Sequence, residues 1–458
     1  MSAELVELAL GFATLPLTAT VVEHTEANLR WANNALTTNG EMHSRTLTVT
    51  ATAEVPGGTS AGTVSRQISA GAAVAAVVAA AEQAARSGPP SEDAAPLVGP
   101  GDLDPGWSAG PATTSIDTLA GVATGLGVAF GQARAAGHLL FGFAEHTVTT
   151  TYLGSTTGLR RRGVQPTGRF EFNAKTVDLE ASSWIGAATR DFTDVPVAEL
   201  YAELATRLSW SETRIDLPPG RYETLMPPGG LADLLIYAFW TMNARDAEEG
   251  RNVFSAGEGR TRIGERLAPQ PISLRSDPTY VGLETVPFVD HGFSADGTSW
   301  IFDQGLPIAA TSWIEDGVLT NLVRNRAQAA RTGLAPTPPA DNLIMDAGGS
   351  ASLAEMIAGT KRGLLLTCLW YIREVDPERL LLTGLTRDGV YLIEDGQVVG
   401  AVNNFRFNES PVELLGRIVE VGASELTLCR EWNDYFNRTV MPPARIADFN
   451  MSTVSQAS

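Results

Sequence analysis

Few histidines and cysteines are available for nucleophilic, acid–base or metal chemistry, and their spacing does not favour it. The histidines are His24, His43, His138, His146 and His291. No two stand at H-x-x-x-H or H-E-x-x-H separation, which would bring two imidazoles to one metal from one helical face. His138 and His146 are eight apart, on one face of a strand but too distant to share an ion directly. Surface or hydrogen-bonded roles are expected for all of them, including His291 beside Asp290. The two cysteines, Cys368 and Cys429, fit a reducing compartment and exclude a disulfide scaffold. Cys368 lies in an apolar, β-like run and is expected in the core. Gly58-Thr59-Ser60-Ala61-Gly62 matches G-x-S-x-G, but a nucleophile elbow needs a strand before it and a helix directly after. Here Pro56-Gly57-Gly58 turns the chain and Thr63-Val64-Ser65 reads as a returning strand, so a hairpin is expected. Gly125-Leu126-Gly127 with Gly131 has the wrong last spacing for a dinucleotide loop and follows a linker, which leaves a packing role. Arg160-Arg161-Arg162, the only short basic cluster, is expected in a solvated turn.

The elements that would position such residues form an α+β chain. Its 458 residues allow two or three domains, and 44% hydrophobic against 19% charged residues is a globular balance. A net charge of −19 repels phosphate backbones, so no nucleic-acid partner is expected. The first residues are acidic where an export signal is basic. The Ala-rich run at residues 72–81 is too short to span a bilayer. A cytoplasmic chain without a membrane partner is therefore expected.

Residues 45–55 alternate as a half-buried strand, and Ser69 could cap a helix running to Arg86. These make a small N-terminal α/β unit, residues 1–90. Residues 89–111 are rich in Pro, Gly and Asp, and residues 91–114 are taken as a linker. A middle α+β unit, residues 115–219, should hold a helix at about 117–136, strands at 139–152 and 168–180, and a helix at about 197–208. The third unit, residues 220–458, opens with one apolar helix at about 230–245 and then reads as a large antiparallel β-sheet. Asp316-Gly317 and Asp395-Gly396 each sit between β-rich runs, the chemistry of a tight hairpin. No wider similarity surrounds them, so no internal repeat is inferred.

The apolar helix and the segment after it carry a resemblance. Glu249-Gly250-Arg251-Asn252-Val253-Phe254-Ser255 is similar to the stretch that follows the zinc helix of the TldD/TldE (PmbA) peptidase family. Ser276-Asp277-Pro278, Phe302-Asp303-Gln304-Gly305-Leu306-Pro307 and Ile314-Glu315-Asp316-Gly317-Val318 resemble later family segments. So do Gly348-Gly349-Ser350, Gly363-Leu364-Leu365 and residues 408–415. Their order and spacing over residues 220–450 identify the chain as a member. TldD-like members carry H-E-x-x-x-H on the helix, two zinc-binding histidines and a general-base glutamate. The resemblance puts those positions on Leu235, Ile236 and Trp240. None of the three can ligate zinc or move a proton. Residues 230–255 contain no His and no Cys at all. The family's third ligand, a cysteine near the C-terminus, has no counterpart in register, since Cys429 falls several residues early.

The resemblance therefore implies a TldE-like subunit with no catalytic, cofactor-binding or metal residues of its own. It would pair with a TldD-like zinc subunit as a heterodimer, shape the chamber, and handle a peptide or small amide substrate. Antibiotic and modified-peptide maturation are within the family's range. Two other readings stand beside this one: a hydrolase using an unrecognised site, and a stand-alone structural or binding homodimer.

Overall fold

The computed structural model describes residues 2–69, 71–295 and 297–455. Long alternating runs make the first sheet. Its strands are β1 (Leu17–Ala32), β2 (Ala35–Val55), β3 (Gly58–Gln67), β4 (His138–Ser155), β5 (Arg160–Thr176) and β6 (Ser182–Thr189). They lie in the order β3-β2-β1-β4-β5-β6, every neighbour antiparallel. The two units expected at residues 1–90 and 115–219 thus share one sheet. β1 pairs with β4 from Thr18↔Ser155 to Trp31↔Gly142, because its second edge is left open by β2 and takes the next long strand.

Four helices cover one face: α1 (Ser2–Gly11), α2 (Val74–Ser87), α3 (Ala120–Ala136) and α4 (Val197–Trp210). Period-2 alternation puts the odd residues of β1 on that face. Leu17, Ala19 and Val21 join the core under α1 and α2, while Ala27, Leu29 and Trp31 join the one under α3 and α4. Between them Glu23 is buried and takes Ser2, His43 and Arg45. Burial opposes its charge, but these donors outweigh that and hold its carboxyl below the usual range. Ser69 does not cap α2. A 3-10 turn, Gly71–Ala73, intervenes, and the N-cap Ala73 offers no side-chain bond.

The segment expected as a linker is a strap bonded along its length. Arg331 donates to the Glu92 carbonyl (2.9 Å), Arg326 to that of Pro96 (2.7 Å) and Thr157 to that of Val98 (2.7 Å). Asp93 pairs with Arg245 and Arg331. The arginine cluster is no solvated turn. Arg161 donates to the Asp102 carbonyl (3.1 Å) and Arg162 to that of Gly110 (2.8 Å). Arg160 binds Glu7 and stacks over Trp107. These guanidinium groups answer carbonyls that no sheet or helix would satisfy.

Residues from 214 onward build two larger sheets and a two-stranded one, Ser255–Gly257 with Arg260–Thr261. One has ten strands and is mainly antiparallel. Gly220–Met226 and Ala444–Val454 are adjacent at its centre, and Leu369–Asp376 is its edge. A smaller six-stranded sheet is organised around Ser273–Ser276 and Leu343–Asp346. The ten-stranded sheet is the large antiparallel sheet expected in the C-terminal half, and the smaller sheets accompany it. The apolar helix α5 (Pro228–Trp240) lies in the common core of the two larger sheets, with ten of its 13 residues buried. It stops at Trp240 rather than Arg245 because Asn252 donates to the carbonyls of Thr241 (2.9 Å) and Asn243 (3.0 Å). Asn243 turns extended and caps the short α6 (Ala244–Glu248). Asp316-Gly317 and Asp395-Gly396 both form two-residue turns with positive φ at each position.

Gly62 shows how tightly β3 meets α2. A Cβ there would stand 2.3 Å from the Ala85 nitrogen and 2.4 Å from the Ala81 oxygen. Gly62→Ala should therefore lower unfolding stability by about 2 kcal/mol or more, read from denaturant midpoints. An unchanged midpoint would contradict this packing.

Candidate functional site

The chemistry-bearing positions implied by the family helix lie on α5. Leu235 and Ile236 are each 0% exposed, locked in the core between the two larger C-terminal sheets. They offer no donor atom and no solvent path. Trp240 ends the helix half-buried and lines a groove of about 590 Å³. Leu235, Ile236 and Trp240, the positions that the resemblance assigns to the motif, do not fit a zinc ion. Among the described residues, no three His, Cys, Asp or Glu side chains converge in a way that could hold a metal.

The histidines are dispersed. His24 meets Thr149, His43 meets Glu23, His138 meets Tyr201, His146 bridges Thr114 and the Arg190 carbonyl, and His291 meets Asp290. Burial lowers the pKa of His138 and His146 and favours their neutral forms. Ser60 lies within β3, its hydroxyl buried and unbonded, so no base stands ready to activate it. Gly125 lies on α3 where a Cβ would press on Val197 of α4 at 3.0 Å, a helix-packing role. Cys368 and Cys429 are both buried, and burial pushes both thiols up, away from the reactive thiolate.

The structure assembles a different constellation around α5. Asp233, the one charged residue of the helix, is fully buried. Its carboxylate accepts the backbone N–H groups of Glu431 (2.8 Å) and Arg430 (3.2 Å), and the Trp432 indole donates to its carbonyl (2.8 Å). Glu431, so placed, turns its own carboxylate to the Tyr371 N–H (3.1 Å), the Ile372 N–H (3.0 Å) and Arg373. It thereby holds an irregular stretch of the edge strand, where Tyr371 has φ +53° and the register slips. Arg430 lies over the rings of Trp370 (4.0 Å) and Trp184 (5.2 Å), and Arg169 of β5 binds Asn433 and Asp434. The loop at residues 429–436 is thus clamped between α5, the sheet edge and the first sheet.

That clamp sets the aromatic wall of the groove. Tyr237, Trp240 and Trp432 are inclined to one another by 57–67°, with centroids 5.3–6.4 Å apart. Tyr435, Arg251, Arg373 and Glu374 stand around them. Asp233, Glu431 and Trp432 were not singled out from sequence. A lone acid inside an apolar helix was the available signal.

Burial, opposed by the two backbone donors, pushes the Asp233 carboxyl from 3.8 up to about 8. A raised folded-state pKa means the folded chain holds a proton that the unfolded chain releases. This contribution to stability is complete below about pH 4 and is lost as pH rises through about 8. Asp233→Asn lacks that dependence. Its melting temperature should rise relative to the parent chain between pH 5 and pH 9, measured by thermal denaturation. A difference that stays constant across the series would refute the assignment.

Similarity to known proteins agrees with this architecture. The sequence profile of the PmbA/TldA metallopeptidase C-terminal domain matches residues 219–453. A protein from Methanothermobacter thermautotrophicus described as a metalloprotease is 24% identical over 178 residues, 35% of each chain. The fold is that of TldE from Thermococcus kodakarensis, with a TM-score of 0.79, 16% identity and 98% of both chains covered. A Thermotoga maritima protein described as a modulator of DNA gyrase superposes with a TM-score of 0.75 at 17% identity, over 98% of this chain and 99% of that one. With more than half its length matched to the family model, the chain belongs to the TldD/TldE (PmbA) metallopeptidase family.

Proposed function

We propose that this chain is a TldE-like, zinc-free subunit of a two-subunit peptidase whose metal resides on a TldD-like partner. The observation that carries the reading is the state of α5. Of the three positions that the resemblance assigns to the motif, Leu235 and Ile236 are closed into the core and Trp240 lines a groove. A helix built this way contributes packing and a binding surface rather than ligands. The likeness to TldE over nearly the whole chain supports the same side of the family.

In such a pair, the partner's zinc would supply a polarised water for attack on an amide carbonyl. This chain would close the chamber and hold the substrate. Peptides or small biosynthetic amides, including antibiotic and modified-peptide precursors, are the substrate class. No helix among the described residues is long and apolar enough to cross a membrane, which fits the cytoplasmic role we assign.

The test is metal content followed by reconstitution. The purified chain should carry far less than one zinc per chain and show no peptidase activity. Co-expression with an H-E-x-x-x-H-bearing family member should give a stable hetero-complex that cleaves peptides. One tightly bound zinc per isolated chain, or peptidase activity without a partner, would sink the proposal.

A further inference from the structure

The groove beside Trp240 has the composition of a site for a cation. Elsewhere this molecule seats its own guanidinium groups on aromatic faces backed by acids. Arg430 lies over Trp184 and Trp370 with Glu171 at 3.7 Å. Arg169 lies 5.1 Å from the Phe143 centroid, with Glu145 at 3.2 Å. The groove repeats the arrangement without the guest. Among the described residues, no cation stands over Tyr237, Trp240 or Trp432, although all three rings line the cavity.

The charges around it are unbalanced in the same sense. Arg251 is held by Asp246 and by Glu249 (2.7 Å), and Arg373 by Glu431 (3.3 Å). Glu374, exposed on the edge strand, forms no ion pair among the described residues; burial raises the Tyr237 phenol's pKa, Glu374 adds to that, and Arg373 opposes it. Asp376 stands near Glu374 and repels its charge. Around the two arginines stand Asp246, Glu249, Glu431, Glu374 and Asp376, so acids outnumber cations at the groove, within a chain of net charge −19. An ammonium or guanidinium placed over these rings would gain ring-quadrupole attraction and answer Glu374 at once. An acidic or neutral side chain would gain neither.

We infer that this groove binds the lysine or arginine side chain of a peptide, seated on Tyr237, Trp240 and Trp432 and paired with Glu374. The identity of the carrier as a peptide rests on the subunit reading above. The cation preference rests on the groove alone.

The full chain, without any partner, should be titrated with capped pentapeptides that differ only at the central residue: lysine, norleucine or glutamate. Calorimetry and tryptophan fluorescence at low salt report binding. The lysine peptide should bind about tenfold more tightly than the norleucine peptide, and the glutamate peptide more weakly still. Glu374→Gln, at an exposed position, should reduce lysine-peptide affinity severalfold while leaving norleucine binding unchanged. Trp240→Leu should reduce the lysine preference in a chain whose melting temperature shows it folded. Equal affinity for lysine and norleucine, a preference for glutamate, or indifference to Glu374→Gln would overturn the inference. Lysine-selective binding by a chain that activates no zinc subunit would uphold the site and refute the subunit reading. An active complex without charge selectivity would do the reverse.

Discussion

The C-terminal half is organised around one buried carboxylate. Asp233 sits in an otherwise apolar helix and accepts two consecutive backbone amides from a loop about two hundred residues away in sequence. Burying an acid is costly unless it is hydrogen-bonded or neutral, and here the cost is offset by groups that would themselves be orphaned. Removing the carboxylate would leave two amides unanswered. The loop's path, the direction of the Glu431 side chain and the position of the Trp432 ring all follow from that contact. The groove's aromatic wall is therefore fixed by backbone hydrogen bonding as much as by apolar packing.

A second device recurs across the molecule. Guanidinium groups reach from regular elements to irregular segments, donating to carbonyls or lying on rings. Arg161, Arg162, Arg326 and Arg331 hold the strap at residues 92–110 in this way. Arg169 and Arg430 join the first sheet to the loop at 429–436. The planar fork of arginine suits both tasks, which a lysine ammonium would serve less well.

Much of this was readable from local chemistry. The Pro56-Gly57-Gly58 turn, both Asp-Gly hairpins and the apolar helix follow from dihedral preference and periodicity, and all are present. The absence of His and Cys from residues 230–255 needed only composition. What escaped was non-local. The strap has a linker's composition, and nothing in residues 89–111 reveals the arginines that grip it. The pairing of β1 with β4 joins strands more than a hundred residues apart, so a boundary drawn at a composition change cut through a sheet. Trp432 and Glu431 belong to the groove only because Asp233 brings their loop there.

The placement of Ala444–Val454 beside Gly220–Met226, in the middle of the ten-stranded sheet, governs the order of assembly on the ribosome. The first sheet and its helices draw only on residues up to about 210 and can form while synthesis continues. The larger sheet lacks a central strand until residues 444–454 have been synthesised. Until then Gly220–Met226 has an unpaired edge, the kind of exposed surface that invites mispairing or chaperone capture. For this half, closing the sheet joins strands more than two hundred residues apart, a slow step with long loop closure.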